Sequence, residues 1–133
     1  MQLIDTSVWI SFFNHAKSPA AAYVEAALLS NQALCVNAVI EMEILQGIRD
    51  ERSHALTKDY LEAFQYFPDF TRRYFQQADA IYRACRRRGQ TIRRSLNCLI
   101  AANALIDDLI LVHQDRDFDA IKKVFPQLAV VRI

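Results

Sequence analysis

The sequence predicts an α/β fold with a parallel sheet of four or five strands between layers of helices. Short, continuously apolar runs recur at Leu3–Ile4, Ala33–Val36, Leu109–Val112 and Ala129–Ile133. Segments of helical periodicity separate each run from the next. Strands that are apolar without alternation are buried on both faces, as in a sheet that βαβ crossovers cover on each side. The chain has 133 residues, which suits a single domain spanning 1–133 that can bury a core without staples.

The elements follow in order. Leu3–Ile4 is a strand that stops at Asp5. A helix over about 7–14 comes next. Ser18 and Pro19 start another, with a capping hydroxyl and then a proline at the first helical position, and it runs to about Ser30. Ala33–Val36 is the second strand, and a helix over about 38–49 follows with Gly47 near its end. Leu56, Tyr60 and Phe64, four apart, mark one side of a helix that stops before Pro68. Tyr74, Phe75, Ala78, Ile81, Tyr82 and Cys85 form an apolar stripe at helical spacing, with Gly89 just past the end. About residues 95–107 are apolar nearly all round, which predicts a central buried helix capped by Ser95. Leu109–Val112 is the third strand, about 117–124 a short helix, and Ala129–Ile133 the last strand.

Composition narrows the function classes. With 53% hydrophobic residues, disorder is excluded, and with two Gly and three Pro a loop-rich β fold is disfavoured. No apolar run reaches the roughly 18 residues of a membrane span. The first residues, Met1–Asp5, carry no basic region or cleavage pattern, so no signal peptide is expected. Cys35, Cys85 and Cys98 lack metal-ligand spacing and read as buried, reduced thiols of a cytoplasmic protein. A net charge of +1 gives no bulk attraction to any partner, but the charges are segregated. Arg83, Arg86, Arg87, Arg88, Arg93 and Arg94 crowd one stretch. Arg86–Arg88 have an ordinary reading as cations at a helix C-terminus. Beside an acidic site, Arg87, Arg93 and Arg94 would instead track phosphates.

The acids carry the chemistry. Asp5 follows a strand, Glu43 lies on a helix face shared with Val39, Ile40 and Gly47, and Asp115 and Asp117 stand between a strand and a helix. Singly, each has a structural explanation in turns, caps or helix dipoles. Together they place carboxylates from separate segments near one edge of a parallel sheet, where ligands bind in such folds. Clustered carboxylates repel and call for a cation. Oxygen ligands without His or thiolate favour Mg²⁺, with Mn²⁺ possible, and a common reaction of such sites is phosphodiester hydrolysis.

Four segments then resemble the motifs of PIN domains, especially VapC toxins: Leu3–Ile10, Glu43–Gly47, Thr91–Ala101 and His113–Phe118. The resemblance is ordered and spans nearly the whole chain. It implies a PIN-like three-layer sandwich and a metal-dependent endoribonuclease toxin acting on structured RNA, commonly tRNA or rRNA. It also implies a homodimer and a cognate VapB-like antitoxin through which alone operator DNA would be met. By motif, Asp5, Glu43, Asn97, Asp115 and Asp117 are the catalytic set. Asp5, Asn97 and Asp115 would hold the metal, Asp117 is an alternative to Asp115, and Thr6 supports them. No family role falls to Glu41. The family has Asp where this chain has Asn97, so a weakened or inactive enzyme is expected, whether the change was introduced to silence a toxic nuclease or arose naturally. The competing reading is a non-catalytic module acting through antitoxin or RNA. Trp9, Phe12 and Phe13 are read first as core, and otherwise as a partner surface.

Overall fold

Parallel strands cannot be joined by a tight hairpin, and every strand-to-strand connection in this chain is long enough to hold at least one helix. The computed structural model describes residues 1–133. Its elements are β1 (Gln2–Ile4), α1 (Thr6–Asn14), α2 (Pro19–Leu29), β2 (Leu34–Val36), α3 (Ala38–Gln46), α4 (Glu51–Glu62), β3 (Gln65–Tyr66), α5 (Arg72–Arg87), α6 (Ser95–Ile106), β4 (Ile110–His113), α7 (Arg116–Val124) and β5 (Val130–Arg132). The five strands form one parallel sheet in the order β3-β2-β1-β4-β5.

That order has a consequence for the site. From β1 the chain steps outward to β2 and β3, then returns to β4 and steps outward the other way to β5. Right-handed crossovers therefore put α1–α4 on one face and α5–α7 on the other. The reversal falls between β1 and β4, and the crevice beyond the carboxyl ends of those two strands is the usual ligand site of such a sheet. Asp5 directly follows β1, and Asp115 follows β4 with only Gln114 between.

Local chemistry explains most boundaries. Ser18 caps α2, accepting from the Ala21 amide at 3.1 Å, with Pro19 at the first helical position. Gly89 adopts φ 72° after α5, a conformation that glycine enters without a Cβ penalty. Every residue of α6 from Asn97 to Ala104 is buried, as its all-round apolarity predicts. Trp9 is wholly buried against Phe12, Phe13, Tyr60 and Phe64, so this cluster belongs to the core. The three cysteines are buried and unpaired, and burial raises the Cys35 thiol to about 11 and the Cys98 thiol to about 12.

Four expectations need correction. The cap of α6 is not Ser95. The capping position is Arg94, whose side chain caps nothing, and the Asp117 carboxylate of α7 serves that turn instead. Helix α3 ends at Gln46, three residues short of the expected 49. In α4 the buried anchor is Leu61, while Leu56 is exposed, because the helix lies at the margin and covers Trp9 through Tyr60 and the following Phe64. Strand β3 was not expected at all, since its two residues are exposed and make no apolar run.

Candidate active site

Asp5 ends β1 and caps α1: its carboxylate accepts from the Ser7 amide at 2.9 Å and from the Ser7 hydroxyl. That hydroxyl oxygen in turn accepts from the Gln114 amide at 3.0 Å, and the Gln114 side chain accepts from Ser11 at 2.8 Å. The first turn of α1 is thereby stitched to the loop after β4. Beside it, the Thr6 hydroxyl donates to Glu43 of α3 at 2.5 Å. Two helices from one layer thus present their acids together.

The other layer supplies Asn97. Its amide nitrogen donates to Asp115 at 3.1 Å and to Asp117 at 3.0 Å. Asp117 also accepts from the backbone amides of Arg93 at 3.2 Å and Arg94 at 3.1 Å. At 2% exposure, with both oxygens occupied by protein donors, Asp117 clamps the loop before α6 onto α7. Asp115 is more open. One of its oxygens caps α7 by accepting from the Asp117 amide at 2.9 Å, and the other meets Asn97. The Arg93 guanidinium, 54% exposed, lies 3.8 Å from both carboxylates.

The electrostatics show that the layers share one field. Burial is the main reason the Asp5 carboxyl is raised to about 6; the Ser7 bonds oppose the shift, and the charges of Glu43 and Asp115 add to it. Two of the acids expected to gather with Asp5 are thus close enough to penalise its ionisation. His113, at the end of β4, is wholly buried, and desolvation holds its pKa below the usual value.

Two facts bear on whether a divalent cation fits. The donors are all oxygen, and the penalty that Glu43 and Asp115 add to the Asp5 charge is one that a cation would relieve. Yet no three His, Cys, Asp or Glu side chains converge tightly enough to cage a metal ion by themselves. Mg²⁺ does not need such a cage; it is commonly held by one or two carboxylates, waters and substrate phosphate. The residues therefore fit Mg²⁺ as a weakly held ion.

Of the predicted residues, Asp5, Thr6, Glu43, Asn97, Asp115, Asp117 and Arg93 come together, and Arg94 joins through its backbone. Arg87 does not join; it is exposed in the last turn of α5, where its charge suits the helix terminus. Glu41 lies near Tyr66 of β3 and, after burial, is a cause of that tyrosine's raised pKa. Sequence reasoning missed Ser7 and Gln114. It also missed a buried chain behind the site. Asn37 caps α3 by accepting from the Ile40 amide and donates to Asn103 at 2.9 Å; Asn103 donates to Asp107 at 2.8 Å, which Tyr74 also meets. The sequence signal for that chain was Asn37 between a strand and a helix.

Comparison with known proteins agrees with this geometry. The PIN domain family matches residues 3–124. Ribonuclease VapC11 of Mycobacterium tuberculosis is 38% identical over 126 residues, 93% of each chain, and VapC ribonuclease Mb1587 of Mycobacterium bovis matches equally. VapBC2 from Rickettsia felis, solved bound to a DNA fragment from its promoter, superposes with a TM-score of 0.78 at 15% identity, covering 99% of this chain and 98% of the other; at that identity the likeness shows the fold. The switch-point acids, the five-stranded order and the relatives at 38% identity lead to one conclusion: this chain belongs to the PIN-domain family, within its VapC ribonuclease toxins.

Proposed function

We propose that this chain is a Mg²⁺-dependent endoribonuclease, with Mn²⁺ able to substitute, that hydrolyses phosphodiester bonds in structured RNA, and that Asn97 weakens it. The observation that carries the reading is the cluster around Asp5 at the sheet's switch point, where Glu43 of α3 and Asp115 before α7 add to the ionisation cost of the Asp5 carboxyl. Asp5, Asn97 and Asp115 would hold the cation, Asn97 through its amide oxygen, while the Asn97 amide nitrogen donates to Asp115. When bound, the cation supplies positive charge to the scissile phosphate and makes water more acidic. Glu43, oriented by the Thr6 hydroxyl, is placed to take the proton from water. Asp117 holds the loop that carries Arg93, and the Arg93 guanidinium can turn from the carboxylates to a phosphate oxygen. The choice of tRNA or rRNA rests on family analogy. Incubating the chain with total RNA, with Mg²⁺ and with a chelator, tests the reading; cleavage confined to the Mg²⁺ arm supports it.

A second reading has one observation behind it. No three His, Cys, Asp or Glu side chains form a cage for a metal ion, as suits a non-catalytic module. Absence of cleavage at any Mg²⁺ or Mn²⁺ concentration would favour that reading.

The VapBC complexes among the structural neighbours support a VapB-like antitoxin as partner; on family analogy, operator DNA would be met only through it, and the pair would act in the cytoplasm. A cavity of about 520 Å³ between α1, α3 and α4, flanked by exposed Ile10 and Leu56, suits the apolar face of such an antitoxin's helix or tail. For a homodimer, the exposed Phe75, Tyr82 and Leu96 along α5 and α6 offer the contact. No helix is long and apolar enough to cross a membrane.

A further inference from the structure

The acidic site opens on one side into a cleft of about 580 Å³, and Asp117 is common to both. Its lining carries four cations, Arg93, Arg116, Lys123 and Arg132, against two carboxylates, Asp117 and Asp119. Both carboxylates have partners within the chain. Asp117 is occupied by backbone amides and Asn97, and Asp119 is paired with Arg132. Arg116 and Lys123 are exposed and take part in none of the chain's ion pairs. Their positions are set by α7. Residues 116, 119, 120 and 123 follow i, i+3, i+4, i+7 spacing, so one face of the helix floors the cleft. Arg116 and Lys123 stand two turns apart, about 10 Å along the axis.

We propose that this cleft is a phosphate-binding track, in which Arg116 and Lys123 hold successive phosphates of a single RNA strand on one side of the scissile bond. The inference rests on the ribonuclease reading of the acidic site and assigns the direction in which substrate leaves it. Arg93, beside Asp115 and Asp117, is the first cation on the path, and Lys123 the last on α7. The arginines at the end of α5, the more conspicuous basic run in the sequence, line no part of this cleft other than through the following loop at Gln90 and Thr91.

Binding of a fluorescein-labelled twelve-nucleotide oligouridylate to the full chain, followed by anisotropy in chelator across a salt series, tests this without any cleavage. Arg116→Gln with Lys123→Gln is expected to weaken binding about tenfold at low salt. The salt slope should fall by about 1.4, since each single-strand phosphate contact contributes about 0.7. Arg87→Gln should change neither. An unchanged slope in the double variant would overturn the proposal, as would an equal loss from Arg87→Gln. So would a double variant that binds the RNA normally but no longer captures its antitoxin, because the cleft would then be a peptide surface. Matching melting temperatures exclude misfolding as the cause of a loss. Chelator keeps the two readings separable: failure of Mg²⁺-dependent cleavage would leave this binding result standing.

Discussion

Asp5 is an acid that the fold holds at a cost. Its folded pKa of about 6 lies above the unfolded 3.8, so the folded chain binds this proton more tightly, and stability falls as pH rises through that window. A shift of about two units corresponds to about 3 kcal/mol. Asp5→Asn keeps an acceptor for the Ser7 amide and removes the charge. In chelator at pH 7 it should raise the unfolding free energy by about 1–3 kcal/mol and flatten the stability profile between about pH 4 and 6. Denaturant titrations across that range read this directly; a variant less stable than its parent at pH 7 would contradict it. Asn97 carries the opposite sign. Its amide satisfies Asp115 and Asp117 together, so Asn97→Asp replaces two donated bonds with two like-charge contacts. The near-isosteric exchange suggests only a small loss when the sequence is considered alone. The bonded geometry raises the expected cost in chelator to about 1–3 kcal/mol, with Mg²⁺ restoring it by linkage. Thermal melts with and without the ion decide this.

At the scale of elements, the site depends on how helices are pinned. Asn37 caps α3, the helix of Glu43, and also donates to Asn103 of α6, the helix of Asn97. Asn37→Ala removes the cap, worth about 0.5–2 kcal/mol, and strands a buried amide acceptor, worth about 1–3 kcal/mol. A loss of about 2–4 kcal/mol in urea unfolding is expected; a loss under about 0.5 kcal/mol would mean that the chain of amides does not couple the helices. Such links mark the limit of what the sequence discloses. The strands were legible because buried parallel strands are continuously apolar, and α6 because it is apolar all round. The acids were legible because they follow strands and sit in family motifs. Ser7 and Gln114 were not, since 107 residues separate the partners and no local pattern announces the bond. Strand β3 was not, because a two-residue exposed edge has no periodicity to detect. Ser95 was misread as a cap because the donor-rich turn before α6 is served from α7, by Asp117.

For the whole molecule, the sheet reversal between β1 and β4 brings the acids of both helical layers to one crevice, and the apolar and basic surfaces flank it. Leu96→Glu on the exposed α5–α6 surface should shift the proposed homodimer toward monomer in sedimentation velocity while leaving the melting temperature nearly unchanged; a variant with the parent's sedimentation coefficient would place the self-contact elsewhere. The crevice is proposed to be a Mg²⁺-dependent ribonuclease site limited at residue 97. The most direct measurement compares cleavage of total RNA by this chain and by its Asn97→Asp variant, each with Mg²⁺ and with a chelator. The Mg²⁺-dependent rate is expected to be at least about tenfold faster for the variant, about 1.4 kcal/mol of barrier, with no cleavage by either in chelator. Equal rates with equal response to Mg²⁺ would contradict it.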